Sequence, residues 1–477
     1  MKNDFLQHVA ARIGDNCVIN VNYLPDNVSN FYKRKIKGIF RPNSLTALSQ
    51  IVNEAKKYSG TRLHPISIGY NWGLGSKEDI ADGSYLIELD NINAIRKINI
   101  EQGWAIVEPG VTQGQLSTLL KGTGKMINIT ASSAYSSFLG NALDRGVGLR
   151  HQRTEDLVGL EVILPNGKII RVGWWPTEQH TAIYSHGVGP SLVQFFAQSS
   201  FGIVTAGVVK LHSRPELTNI LRFNFSRSNL IPVITTLQHW VSNRVNSGVL
   251  KIYDSTANTT YGGIDSTYTV HMCIDGLEKD VYAKTQHILE YCEISDIFSN
   301  AVASQVNEDH YPGSDIIANL VEAAHVGDTS FNDVLLKKTL GAKHDMIDKT
   351  DNGWIFFLPL LPFTPDALLK AYEIIDEIHA ESGILCGATI NALNEGVIDL
   401  VISIAFNKKS EEQPRTLHAL DLLHEKFQEN GFIPYRLGVN HSEWASKITP
   451  SDSENDFIRE LKSLIDPQNI ISNDRYL

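Results

Sequence analysis

Only four of the 477 residues are cysteines: Cys17, Cys273, Cys292 and Cys386. None falls in Cys-x-x-Cys spacing or beside a histidine, so neither a disulfide framework nor a zinc site is implied. Buried free thiols are expected, and no metal. Long apolar runs are missing as well. No stretch approaches the ~20 residues a membrane span needs, and Met1-Lys2-Asn3-Asp4-Phe5-Leu6-Gln7 has no apolar core of signal-peptide length. A soluble, cytoplasmic protein without a membrane partner is the expectation. Basic runs interleaved with aromatics are also absent, and the formal charge is −11. Both facts argue against nucleic acid, whose binding depends on clustered Lys and Arg. No internal repeat or low-complexity tract is evident.

What is present is ordinary in bulk: 42% hydrophobic and 20% charged residues, on a chain long enough for two or three domains. The information is local. Gly140-Asn141-Ala142-Leu143-Asp144-Arg145-Gly146-Val147-Gly148 sets three glycines in a short polar run, which suggests backbone packed too closely against something to admit a Cβ. Gly159 to Leu164, then Pro165-Asn166-Gly167, then Lys168 to Val172 reads as a hairpin, because Asn-Gly between alternating apolar residues is a strong turn signal. Further on lie Gly187-Val188-Gly189-Pro190 and Gln198-Ser199-Ser200-Phe201-Gly202-Ile203-Val204-Thr205. Together these segments describe backbone laid along a large polar ligand, on a sheet.

This stretch resembles the flavoprotein family of vanillyl-alcohol oxidase and 4-cresol dehydrogenase, whose members carry close versions of the 140–148, 159–173 and 189–205 segments. The resemblance covers about residues 38–215 and 350–477. It implies an α+β fold in three parts: a two-part FAD-binding domain of the PCMH type over 1–215, a substrate or cap domain over 216–430, and a segment over 431–477 that returns to the FAD domain. The cap is expected to be an antiparallel sheet with helices on one face.

Along the chain, a short helix and an irregular arm precede Arg41. Ser44 then caps an amphipathic helix through Leu45, Leu48, Ile51, Val52 and Ala55. A short strand over His64 to Ile66 runs into a glycine-rich loop, Ser67-Ile68-Gly69-Tyr70-Asn71-Trp72-Gly73-Leu74-Gly75-Ser76. A turn that points successive N–H groups inward makes an anion-binding nest without a helix, and in the family this loop cradles the FAD pyrophosphate. The resemblance extends the FAD site to Pro109 and Gly110 in a Glu-Pro-Gly-Val turn, to Thr130, to Gly140, Asn141, Arg145, Gly146 and Gly148, and to Gly202, Ile203 and Val204. Strands over 85–89 and 105–107 and a helix over Gln113 to Leu120 connect them. The 353–359 strand, the 367–380 helix and Phe406-Asn407-Lys408-Lys409 belong to the expected cap. The part from 250 to 345 matches nothing in the family, and it is where specificity is expected to diverge.

Tyr435 and Arg436 resemble the family's Tyr-Arg pair, which binds the phenolate oxygen of para-substituted phenols. A guanidinium and a phenolic O–H stabilise negative charge on such a substrate; by residue type alone, Arg436 would as readily pair with a carboxylate. Three departures weaken the phenol reading. The glycine-loop tyrosine of the family is Leu74 here. The family's active-site aspartate falls on Gln152 or Thr154, leaving His151, Glu155 and Asp156 as nearby candidate bases. The cap residue that carries flavin covalently falls near Asp399 or Leu400, and the alternative attachment position is Asn71, so FAD is expected to bind without a covalent link. His64, His180, His186 and His441 have no assigned role. The expected activity is FAD-dependent removal of hydride from an alcohol, amine or benzylic carbon of a small organic molecule, conceivably a specialised metabolite, with dioxygen or a carrier reoxidising the flavin. The alternatives are a sugar or 2-hydroxy-acid oxidase of the same superfamily, or a flavin-binding scaffold without catalysis. By analogy with relatives, a homodimer is expected.

Overall fold

The computed structural model describes residues 4–476 apart from 15–16, 20–23, 25, 180, 265–266, 309–312 and 473–474; His180 therefore lies outside the described residues. The first layer is a four-stranded sheet in the order Val18–Ile19, Gly38–Phe40, Tyr85–Glu88, Leu63–Ile66, whose last three strands run parallel. The helix Leu45–Ala55 forms where its apolar spacing requires. Ser44 Oγ accepts from the Ala47 N–H at 3.2 Å, and Leu48, Ile51 and Val52 are fully buried.

The second sheet has five antiparallel strands in the order Ile95–Asn99, Trp104–Val107, Ile203–Lys210, Leu157–Ile163, Ile169–Gly173. Its last two strands are the hairpin read from Asn166-Gly167. Ile163 faces Ile169, and the Gly167 N–H closes the turn onto the Leu164 carbonyl at 2.8 Å. The helix Gln113–Leu120 starts in a capping box, with Thr112 and Gln115 each satisfying the other's backbone N–H.

Residues 217–407 build an eight-stranded sheet. Its main path is Ser299–Val306, Leu217–Phe225, Tyr268–Gly276, Leu250–Tyr253, Gly387–Ala392, Val397–Asn407, Asn352–Phe357, and Leu360–Pro362 pairs on the flank. All its pairings are antiparallel. Strand alternation sorts its side chains. Leu250, Ile252, Ile390, Ile398, Leu400 and Ile402 share a core with the long helices Leu230–Ser242, Glu278–Ile294, Pro365–Ser382 and Glu412–Glu429. The opposite face carries Lys251, Tyr253, Thr389, Asn391, Asp399 and Val401 and looks into a cavity. Toward that same side lie three shorter helices not anticipated from sequence: Ser255–Tyr261, Ile316–His325 and Asn332–Leu340. Their apolar residues join the core of the five-stranded sheet.

The chain's last segment returns to the first layer. The Leu63 N–H bonds the Ile470 carbonyl at 2.7 Å, the Ser472 N–H bonds Leu63, and Ser472 Oγ donates to Asp79 at 2.8 Å. Among the described residues all four cysteines are buried and none is in a disulfide, and no helix is long and apolar enough to cross a membrane.

Candidate active site

A cavity of about 430 Å³ runs between the glycine-rich loops of the first two sheets and the polar face of the eight-stranded sheet. One end is made of backbone. Ser67, Gly69, Tyr70, Asn71, Trp72 and Ser76 line it from the first loop, and Pro109 and Thr130 from the connecting turns. Gly140, Asn141, Gly146, Gly202, Ile203 and Val204 complete that end. Of the other predicted cofactor residues, Ile68, Gly75, Gly110, Arg145 and Gly148 do not line the cavity. Gly75 has φ +111° and a Cβ there would strike Val439, so it shapes the loop from outside the cavity.

The glycines of the 140–148 run stand where the packing admits no Cβ, as expected. A Cβ on Gly140 would collide with Ser67, on Gly146 with the Asn141 amide, and on Gly148 with the Asn128 amide. They lock loop against loop, and the ligand cradle is the consequence. The cradle is polar and unsatisfied. Ser136 and Ser199 line it, and their Oγ atoms are buried with no hydrogen-bond partner among the described residues, as suits a long ligand bearing donors and acceptors.

Aromatic and charged side chains share the lining. Tyr70 stacks on Trp72 at 4.5 Å, and Trp354 leans on Phe356 at 4.4 Å. Tyr253, Tyr261, Leu335 and Leu336, all from the 250–345 stretch, complete the wall. Leu74 lines it where the family carries a tyrosine.

Tyr435 and Arg436 both reach the cavity, yet neither is free. Arg436 Nε donates to Asp144 Oδ2 at 3.0 Å, and its Nη2 donates both to Asp144 and to Asn71 Oδ1, the latter at 2.9 Å. Tyr476 donates to the other Asp144 oxygen at 2.7 Å, and Arg475 stands 3.7 Å away. Burial alone would raise the Asp144 carboxyl, but these neighbours hold it below the usual carboxylate range. The Tyr435 hydroxyl donates to Asp399 Oδ2 at 3.4 Å, and burial beside that carboxylate pushes the phenol well above its ordinary value. Gln198 fixes the Tyr435 backbone by donating to its carbonyl at 2.9 Å.

His151 and Glu155 do not line the cavity. The His151 and His212 Nε2 atoms both approach Asp156 Oδ1 at 2.8 Å, while Asn128 donates to Oδ2 at 3.2 Å. That cluster is a buried staple behind the cradle. Glu155 is exposed. The alternative positions are structural too: Thr154 Oγ1 donates to the Ala142 carbonyl at 2.7 Å, and Gln152 reaches the Arg145 carbonyl. His441 turns away to Asp421 at 2.8 Å and stacks on His424. His186 is exposed, whereas His64 borders the cavity, 3.7 Å from Asp79.

Among the lining residues that the sequence did not single out are Lys251, Tyr253 and Asn391. Their signal was the alternation in Leu250-Lys251-Ile252-Tyr253 and in Thr389-Ile390-Asn391-Ala392, with polar groups on a buried strand face. Asp399 belongs with them. Its pKa is pushed up to about 6 by burial, against opposing effects of Asn391, Lys251, Tyr435 and Arg436. Burial lowers Lys251 to about 8.

The FAD binding domain family matches residues 36–173. The chain is 24% identical to 1'-carboxy-chondrochloren decarboxylase of Chondromyces crocatus, over 93% of this chain and 90% of that protein. It is 31% identical to the flavoprotein subunit of 4-cresol dehydrogenase [hydroxylating] of Pseudomonas putida, over 39% of this chain and 37% of that one. In fold it is similar to substrate-bound p-cresol methylhydroxylase, with a TM-score of 0.85 and 19% identity, covering 98% of this chain and 95% of the other. The 4-ethylphenol oxidase of Gulosibacter chungangensis superposes at 0.84 with 20% identity over the same shares.

Proposed function

The chain belongs to the PCMH-type FAD-binding flavoprotein family and is an FAD-dependent oxidase or dehydrogenase, and from that premise we propose that it oxidises an alcohol, amine or benzylic carbon of a small organic molecule. FAD, when bound, supplies the acceptor for a hydride. The 67–76 loop, the 140–146 turn and the 202–204 backbone would hold it, with Ser136 and Ser199 offering their unpaired hydroxyls. The flavin would sit without a covalent link, since the attachment positions of relatives fall on Asn71 and near Asp399 or Leu400, and none of these side chains forms the usual bond.

The observation that carries this reading is the continuity of one cavity from the cradle to the aromatic wall and the Tyr435–Asp399 pair. The aromatic wall excludes water and orients an organic ring or chain. The donors that a phenolate would need are already committed, Arg436 to Asp144 and Tyr435 to Asp399, which favours an uncharged or cationic substrate over a phenolate. The test is the visible spectrum of purified protein before and after acid precipitation, followed by anaerobic addition of alcohols, amines and 4-alkylphenols. Flavin released to the supernatant, and bleached in the protein by an alcohol or amine, is the expected result. Flavin retained in the pellet would overturn the non-covalent assignment. Bleaching by 4-alkylphenols alone would overturn the substrate class.

A second reading is oxidative loss of a carboxyl group. It is favoured by the likeness to a decarboxylase over nearly the whole of both chains and by Lys251, a buried cation in the cavity wall that suits a carboxylate. Release of carbon dioxide in step with flavin bleaching would decide for it.

A further inference from the structure

Lys251, Asn391 and Asp399 sit on three adjacent strands and are direct cross-strand partners: Lys251 faces Asn391, and Asn391 faces Asp399. Antiparallel register places all three on one face of the sheet, and that face borders the cavity. Lys251 Nζ donates to Asn391 Oδ1, and Asn391 Nδ2 donates to Asp399 Oδ2 at 3.2 Å. The Tyr435 hydroxyl reaches the same Oδ2 at 3.4 Å. One oxygen of the carboxyl therefore has two donors. The other, Oδ1, is buried and has none among the described residues. A buried carboxylate oxygen left unpaired beside a cavity is a site for a donor brought by a ligand.

We propose that Asp399 is the proton acceptor of the reaction, its Oδ1 taking the proton from the O–H or N–H group of the substrate. Asn391 and Lys251 are positioning residues. Asn391 holds the carboxyl rotation by occupying Oδ2, and Lys251 supplies a positive charge that keeps the carboxyl ionised. For an alcohol, the O–H bond breaks and its proton goes to Oδ1. The oxygen's electron pair closes the C=O bond while the carbon's hydride leaves with its two electrons to FAD, the oxidant. Asp399 returns its proton to water before the next turnover.

This assignment rests on the oxidase reading and narrows its substrate to a hydrogen-bond donor, an alcohol or an amine. The groups acting on Asp399 from the elements around it are Lys251, Asn391, Tyr435 and Arg436. Arg436 is matched by Asp144, so Lys251 is the unmatched cation among them. The raised carboxyl places the acceptor near the working pH, where a base is both ionised and able to take a proton.

The experiment uses FAD-loaded protein labelled with 13C at aspartate carboxyls, as wild type, Asp399→Asn and Lys251→Met, with thermal melts as the folding control. One resonance is expected to titrate near 6 in the wild type, to vanish in Asp399→Asn, and to move alkaline by about one unit in Lys251→Met. Two probes then report charge preference by perturbing the flavin spectrum: benzylamine and 4-nitrophenolate. Asp399→Asn is expected to weaken benzylamine by about tenfold and to strengthen 4-nitrophenolate, opposite signs that a general structural defect would not produce. An Asp399 carboxyl titrating at the ordinary value of about 4, or equal weakening of both probes, overturns the assignment. Failure of every alcohol and amine to bleach the flavin would instead sink the oxidase reading, with the titration and the opposite-signed binding still standing.

Discussion

The His151–Asp156–His212 staple shows how charge acts at single residues. Burial alone would raise Asp156 and lower His151, yet each shift runs the other way. The two imidazoles hold the carboxyl far below its usual range, and the carboxylate raises His151. The depressed Asp156 pKa gives stability that is present above about 4 and is lost as pH falls toward its folded value. The raised His151 pKa gives stability that is complete below about 6.5 and is lost as pH rises through the folded value. The wild type should therefore lose thermal stability as pH rises above about 6.5 more steeply than Asp156→Asn. Parallel melting curves for the two proteins would show that the cluster is not ionised as described. Residue identity alone offered His151 as a base; its partner Asp156, shared with His212 and Asn128, is what makes it structural.

Among the elements, the short ones near the cradle were the most legible, because their determinants are contiguous. Ser44, Thr112 and Asn166-Gly167 each mark a boundary within a few residues of the atoms they satisfy. Ser44→Ala should cost about 1 kcal/mol through the lost cap on the Ala47 N–H, read as a lower urea midpoint with an unchanged slope. Gly167 has φ +83° and no space for a Cβ beside Asn53, so Gly167→Ala should cost more than about 1 kcal/mol. Equal midpoints for Gly167→Ala and wild type would mean the turn relaxes freely. The three short helices beside the cavity were harder to foresee. They carry no family motif, and their apolar faces have meaning only against the five-stranded sheet's core.

In the whole molecule, the cavity lies where three bodies of structure meet: the cradle loops, the eight-stranded sheet and the returning C-terminal segment. A ligand bound there contacts all three, so FAD should stabilise the apoprotein by mass action, by about 2.7 kcal/mol at a hundredfold excess over its Kd, read as a raised melting temperature. A melting temperature indifferent to added FAD would exclude binding at this cavity. The amino-acid sequence by itself determined the cofactor class, the cradle segments and most of the elements around them, since caps, turns and glycine runs act over a few residues. Only the tertiary structure decided the chemistry of the far wall. Lys251 and Asn391 are 140 positions apart, and Arg436 and Asp144 are 292 apart. Strand register and the packing of sheet against loop bring them together, and no local pattern encodes either. That is why Asp144 could not be named from the sequence as the partner of Arg436, nor Lys251 and Asn391 as the neighbours of Asp399.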